Sequence, residues 1–214
     1  MALVLHSYWR ATAPYRVRIG LNLKGMAYDY ASVNLATGDQ HGDTYAELNR
    51  QELTPALVTE AGQVITQSLA ILEWLEEIHP EPRLLPEDPD ARAIVRAMAD
   101  IVACDIHPLN NLRIQQQLTA MGVDDAGRSA WTQRWINDGF KALEAMVARH
   151  GRGFAFGDAP SLADCCLIPQ VYSAERYHVD LAPYPAIRSV AARAAEHPAF
   201  QAAHPDRQPD AKPA

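Results

Sequence analysis

The 214-residue sequence predicts an α/β domain followed by an all-α domain. In the first 80 residues, strand-like and helix-like apolar patterns alternate, whereas after residue 90 only helical periodicity is found. Between them lies the stretch HPEPRLLPEDPD, which holds four prolines and has no periodicity, as is typical of a linker. We therefore expect domains over 1–80 and 90–204, a linker over 81–89 and a flexible tail over 205–214.

Within the first domain, the predicted elements follow the order β-α-β-α-β-β-α. Pro14 is expected to open the first helix and Gly25 to end it, since proline favours the first helical position and glycine favours the C-terminal cap. The order is that of a thioredoxin-like domain. The predicted strands are 2–8, 28–33, 56–59 and 63–65, and the predicted helices are 14–24, 43–48 and 68–79.

Long amphipathic stretches, 90–120 and 127–149, indicate a helical bundle for the second domain. Pro108 lies inside the first stretch, so we expect that helix to kink there. Ser161 and Asp164 have the spacing of a capping box before an apolar run, and this pattern predicts a structural role for them.

Composition excludes several classes of protein. The net charge is −7 and there is no run of Lys or Arg, which argues against a nucleic-acid partner. No apolar stretch approaches the roughly 18 residues that a membrane span needs, and the N-terminus lacks the pattern of a signal peptide. The three cysteines, Cys104 and the adjacent pair Cys165 and Cys166, suit a reducing compartment. We expect a cytoplasmic protein without a metal site.

Three local features suggest one anion-binding site in the first domain. The turn before the first helix places Thr12 beside a helix N-terminus, where the helix dipole favours a negative charge and a bound thiol loses its proton more easily. Thr54-Pro55 precedes a strand, a position where proline is typically cis in this kind of domain. Gln67-Ser68 begins another helix, whose N–H groups can hold a carboxylate. The alternatives are structural: Thr12 and Ser68 as helix caps, and Pro55 as an ordinary strand-initial proline.

Taken together, these features resemble the glutathione transferase superfamily over essentially the whole chain. The segments SYWRATAPYRVRIGLNLKG, TPALVTEAGQVITQSLAILEWLEE, CDIHPLNNLRI and SLADCCLIPQVYSAERYHVDLAPYP are similar to the zeta class. Within that class, the bacterial maleylacetoacetate and maleylpyruvate isomerases are the most similar. The resemblance implies glutathione as cofactor, a small dicarboxylic substrate and a homodimer.

The same resemblance assigns roles to individual residues. Gln67 and Ser68 would meet the γ-glutamyl carboxylate of glutathione, and the backbone of Thr54, beside Pro55, would pair with its cysteinyl part. His107 and Asn111 match positions that face the site, although a lone histidine is more often structural. Arg10, Arg113 and Arg176 match arginines that hold substrate carboxylates, a task that suits the planar guanidinium. Surface ion pairing is the alternative for each arginine.

The implied reaction is cis–trans isomerisation by addition of the glutathione thiolate, rotation and elimination. Thr12, Arg10 and Arg176 would be its catalytic residues. One departure from the class lies at Ala11-Thr12-Ala13, where relatives carry Ser-Ser-Cys or Ser-Ser-Ala and use the first serine as the partner of the thiolate. Two other functions stay open: a general conjugating or dehalogenating transferase, and a non-catalytic glutathione-binding scaffold that has Ala11 in place of the serine.

Overall fold

The computed structural model of the chain describes residues 2–212. These residues form two units: one runs up to Leu84 and also takes in the chain from Ala195 onward, and the other spans Leu85–Ala194. The predicted fold class, an α/β domain with a helical domain, is confirmed. The boundaries differ from those predicted, because the C-terminal segment belongs to the first unit.

A four-stranded sheet with the order β2-β1-β3-β4 organises the first unit. β1 and β2 are parallel, while β3 is antiparallel to both β1 and β4, which is the topology expected of a thioredoxin-like domain. A 3-10 turn, Asp39–His41, precedes the second helix. The elements are β1 (Leu3–Ser7), α1 (Thr12–Leu23), β2 (Tyr28–Ser32), α2 (Asp43–Leu48), β3 (Ala56–Val58), β4 (Val64–Thr66) and α3 (Ser68–Ile78).

Alternation of side chains explains β1, where Leu3, Leu5 and Ser7 are buried and the residues between them are partly exposed. Helices α1 and α3 approach each other closely at Gly20, where an added Cβ would lie only 2.2 Å from Cδ2 of Leu72. Helix α1 begins two residues before the predicted start, so Thr12 is its first residue and Pro14 its third. The close helix packing fixes both helices on the same face of the unit.

The second unit is helical throughout its regular structure. Its helices are α4 (Pro89–Asp100), α5 (His107–Asn110), α6 (Leu112–Ala120), α7 (Asp125–His150), α8 (Leu162–Arg176) and α9 (Pro185–Glu196), of which the last two residues are assigned to the first unit. Within residues 2–212, no helix is both long enough and apolar enough to cross a membrane.

The predicted kink at Pro108 is present, and it extends over several residues. A π-helical stretch, Ile101–Ile106, separates α4 from α5, and the extended backbone of Asn111 separates α5 from α6. Proline has no N–H to give to the preceding turn and its ring crowds that turn, so the helix widens before it and breaks after it. The predicted stretch 90–120 is therefore four short elements.

The predicted tail, 205–214, is ordered as far as the structure describes it; Pro213 and Ala214 lie outside the described residues. Helix α10 (Pro198–Ala203) is followed by a 3-10 turn, Pro205–Arg207, and by buried Gln208. The Gln208 amide donates hydrogen bonds to the carbonyls of Ala202 and His204, at 3.0 and 2.8 Å. These bonds hold a polar, proline-rich segment that its composition alone suggested would be mobile.

The capping box predicted at the start of α8 is present. Asp164 is fully buried; one carboxylate oxygen accepts from the Ala155 N–H at 2.7 Å and the other accepts from the N–H and hydroxyl of Ser161, at 2.8 and 2.7 Å. Burial raises the pKa of Asp164 to about 6, while these hydrogen bonds act in the opposite direction. The carboxylate joins the loop before α8 to the helix itself.

Replacing Asp164 with alanine leaves three buried donors without their acceptor, so we expect the free energy of unfolding to fall by about 3 kcal/mol. Asp164→Asn keeps only one acceptor oxygen and should fall between wild type and Asp164→Ala. Urea denaturation measures both changes. The control is Asp125→Ala, which removes an exposed carboxylate in the first turn of α7. Similar losses for Asp125→Ala and Asp164→Ala would contradict a special role of the buried network.

Candidate glutathione site

Sheet register brings the three sequence features of the first unit to one end of the sheet. His6, near the end of β1, pairs with Ala56 at the start of β3, and Ala56 pairs with Thr66 at the end of β4. The turn after β1, the loop before β3 and the residues after β4 therefore emerge at the same edge. This edge carries Thr12, Thr54-Pro55 and Gln67-Ser68.

The N-terminus of α1 is the first part of this site. Ala11 occupies the N-cap position, with φ of −73° and ψ of 130°, and its methyl group cannot accept a hydrogen bond. Thr12 follows as a buried first helical residue, so the N-cap role considered for it falls to Ala11. The dipole of α1 presents its positive end beside Thr12, where an anion is stabilised.

The loop before β3 is the second part. Thr54–Pro55 is a cis peptide, as predicted, with Pro55 buried and Thr54 half-buried. The preceding carbonyl, that of Leu53, accepts from the Tyr45 hydroxyl and from the Asn49 amide, each at 2.7 Å. Burial raises the pKa of Tyr45 to about 12, so its phenol stays protonated as a donor. The backbone at Thr54 is thereby held in one place.

The N-terminus of α3 is the third part. Gln67 is its N-cap residue, with a backbone φ of 69° that residues other than glycine seldom adopt. The side-chain amide of Gln67 donates to Oε1 of Gln51 at 2.7 Å. Ser68 is the buried first helical residue, not the cap. The positive end of the α3 dipole lies here, as a carboxylate site requires.

Arg16 is a residue of this site that the sequence reasoning missed. It lies in α1, is buried, and its Nη1 donates to the Ser68 hydroxyl at 3.1 Å. A guanidinium stays charged at any relevant pH, so it adds positive potential where α3 begins. The sequence did contain a signal for this residue. Arg16 and Arg18 lie about 200° apart around a helix, so they cannot both face away from the core, and at least one of them is expected to be buried.

These three parts suit glutathione. Two helix N-termini and the Arg16 guanidinium favour its anionic groups, and the fixed backbone beside Pro55 offers a peptide to its own backbone. Arg10 is exposed on the same turn as Thr12, its guanidinium carbon 5.7 Å from the centroid of the Trp9 ring. Its guanidinium is exposed at this edge, and its role toward a substrate stays a prediction.

The remaining predicted site residues belong to the second unit. His107 is the first residue of α5, and the Asn111 side chain caps α6 by accepting from the Ile114 N–H at 3.2 Å. Arg113 is exposed in the first turn of α6. Arg176 is the exposed last residue of α8, 5.7 Å from the ring centroids of Tyr172 and Tyr177. The break at Asn111 thus gathers three of the four within one short segment, and their roles toward glutathione and substrate stay predictions.

Comparison with known proteins agrees with this geometry. Residues 13–78 match the family model for the glutathione S-transferase N-terminal domain, and residues 129–202 match that for the C-terminal domain. A maleylpyruvate isomerase from a Ralstonia species is 51% identical over 210 residues, covering 96% of this chain and 98% of its own.

Two solved structures are also similar over the whole chain. One is a holo structure of a maleylpyruvate isomerase, described as a bacterial zeta-class glutathione S-transferase; it has a TM-score of 0.95, 48% identity and covers 98% of this chain and 100% of its own. The other is a maleylacetoacetate isomerase from Anaeromyxobacter dehalogenans with glutathione bound, with a TM-score of 0.90, 44% identity and coverage of 99% and 98%.

The chain belongs to the glutathione S-transferase family. Within the family, the predicted resemblance to the zeta class and to its maleylpyruvate and maleylacetoacetate isomerases is confirmed by these relatives.

Ser68 provides a direct test of the site. In Ser68→Ala, the glutathione carboxylate at the N-terminus of α3 would lose a hydroxyl donor, so we expect the dissociation constant for glutathione to rise about tenfold. Isothermal titration calorimetry measures this change. The matched control is Thr59→Val, which removes a buried hydroxyl after the opposite end of β3, where Thr59 accepts from the Gln63 N–H. Equal affinities for wild type and Ser68→Ala would remove Ser68 from the site.

Proposed function

We propose that the chain is a glutathione-dependent cis–trans isomerase that converts a maleyl-type diacid, maleylpyruvate or maleylacetoacetate, to its fumaryl isomer. The observation that carries this proposal is the full-length identity of 51% with a maleylpyruvate isomerase. The sequence adds a chemical reason: Cys104, Cys165 and Cys166 all lie beyond residue 100, so the first domain has no sulfur nucleophile of its own.

Bound glutathione supplies a thiolate, which forms a C–S bond while the π electrons of the C=C bond move to the conjugated carbonyl oxygen. After rotation about the new single bond, the enolate electrons re-form the C=C bond and the thiolate leaves with the C–S electrons. Thiolate is regenerated at each turnover, so no oxidant, reductant or net proton is needed. The protein must keep the thiol ionised, stabilise charge on the carbonyl oxygen and hold the substrate by its carboxylates.

The N-terminus of α1 and Thr12 are assigned to the first task. The positive end of a helix dipole lowers the pKa of a thiol bound beside it, and a hydroxyl can donate to the resulting thiolate. Because Ala11 replaces the usual serine, Thr12 is the hydroxyl that remains in this turn.

Arginines are assigned to the second and third tasks. The resemblance assigns Arg10, Arg113 and Arg176 to the carboxylates and the carbonyl oxygen of a diacid, and the guanidinium group of each is exposed. A transferase for apolar electrophiles would have no use for three such cations, and this argues against general conjugation.

We also propose a cytoplasmic homodimer, as the resemblance implies. Light scattering at working concentration measures the oligomeric state.

The decisive assay follows the absorbance of maleylpyruvate and of maleylacetoacetate with and without glutathione. We expect glutathione-dependent turnover of at least one substrate. Arg176→Ala should lower kcat/KM on the order of 100-fold, since a lost charge-assisted pair is typically equivalent to about 2–5 kcal/mol. Arg188→Ala, an exposed arginine on α9, is the matched control and should behave as wild type.

Failure of the wild type to turn over either substrate would reject the isomerase. If glutathione still bound, the scaffold reading would stand; if chlorinated or other electrophiles were conjugated, the transferase reading would replace it.

Thr12 is tested separately by two substitutions. Thr12→Val keeps the shape and removes the hydroxyl, so we expect kcat to fall about tenfold or more, as for loss of one donor to a developing charge. Thr12→Ser keeps the hydroxyl and should retain most of the wild-type activity. Thr59→Val again serves as control. Wild-type kcat in Thr12→Val would mean that the helix N-terminus alone stabilises the thiolate.

A further inference from the structure

The carboxylate of Asp210 contacts the turn that leads into the glutathione site. One oxygen, Oδ2, accepts from the Trp9 N–H at 3.2 Å and from the Ser32 hydroxyl at 2.9 Å, and Oδ1 accepts from the Tyr30 hydroxyl at 2.7 Å. Asp210 is partly buried there, and the bond to Trp9 spans 201 residues of sequence. The C-terminal segment thus reaches the residue directly before Arg10.

The segment that carries Asp210 is itself fixed. The 3-10 turn Pro205–Arg207 follows α10, and the Gln208 side chain bonds back to the carbonyls of Ala202 and His204. Ala203, in the same segment, accepts from Nε of Arg18 at 3.0 Å. These hydrogen bonds fix the position of the segment and therefore of Asp210.

The peptide groups of Trp9 are held on both sides. Its N–H donates to Asp210, and its carbonyl accepts from Nη2 of the buried Arg18 at 2.8 Å. Two residues later, the Ala11 N–H donates to the Tyr8 carbonyl at 3.1 Å. The turn between β1 and α1 owes its shape to these contacts, and the next residue is Thr12.

We propose that Asp210 is a positioning residue, which holds the Trp9–Thr12 turn so that Arg10 and the N-terminus of α1 face the bound glutathione sulfur and the substrate. The inference rests on the proposed function, because it assigns that turn to the thiolate and to the substrate carboxylate. It adds a role for the C-terminal segment.

The other parts of the glutathione site have separate supports. Tyr45 and Asn49 fix the loop before Pro55, and Arg16 contacts Ser68. Asp210 bonds to neither. Loss of its carboxylate should therefore disturb ionisation of the thiol and orientation of the substrate while leaving affinity for the glutathione backbone nearly unchanged.

The test compares Asp210→Asn with Asp206→Asn, an exposed carboxylate in the same segment. The ultraviolet absorbance of the thiolate in the glutathione complex is titrated against pH, and calorimetry measures the dissociation constant of S-methylglutathione. For Asp210→Asn we expect about tenfold less thiolate at a pH below the thiol pKa, and binding within about twofold of wild type. Asp206→Asn should match wild type in both.

Amide hydrogen exchange of the ligand-free protein provides a second readout. Peptides covering residues 8–12 should exchange faster in Asp210→Asn, since asparagine keeps only one acceptor oxygen for the three donors that the carboxylate binds. If Asp210→Asn fails to fold, Tyr30→Phe, which removes one of the three bonds and keeps the carboxylate, should give a smaller change of the same kind.

A lowered melting temperature with unchanged thiolate absorbance would make Asp210 merely structural and overturn the proposal. Equal loss of S-methylglutathione binding and of thiolate would also overturn it, because the effect would then be general. Neither readout needs a substrate, so inactivity of the wild type toward maleyl diacids would reject the proposed function without deciding the role of Asp210.

Discussion

Burying a guanidinium costs free energy unless its N–H groups find hydrogen-bond acceptors. The acceptors that Arg18 finds organise the first unit. Its side chain is fully buried, with its guanidinium carbon 5.1 Å from the ring centroid of Tyr15. Its donors reach the Ser7 hydroxyl, the Trp9 carbonyl and the Ala203 carbonyl. One charge thus ties the end of β1, the following turn and α10 together, so the C-terminal segment belongs to this unit.

Around that contact, the sheet and two helices assemble a site from distant pieces. The antiparallel pairings of β3 bring three loops to one edge, and the close approach at Gly20 packs α1 against α3. Arg16 then joins the two helices where the α3 N-terminus begins. Positive dipole ends and a buried cation at one edge explain why this fold can hold an anionic tripeptide and favour its thiolate.

Features set by neighbouring residues could be predicted from the sequence. The capping box at Ser161 and Asp164 and the distortion around Pro108 follow from local chemistry, the cis bond before Pro55 was expected from the type of domain, and all three are present. Local rules did less well for helix ends: Ala11 is the N-cap in place of Thr12, and Gln67 in place of Ser68. Which residue takes the cap depends on how the helix packs.

The sequence by itself determined the fold class and, through its resemblance to the zeta class, the cofactor and the chemistry to expect. Only the tertiary structure decided the contacts of Arg16, Arg18 and Asp210. Their bonds to Ser68, Ala203 and Trp9 join residues 52, 185 and 201 positions apart. Local periodicity carries no information over such distances, because these partners meet only after the sheet has formed and the chain has returned to it. For the same reason, a tail whose composition is typical of disorder is a folded part of the unit that carries the site.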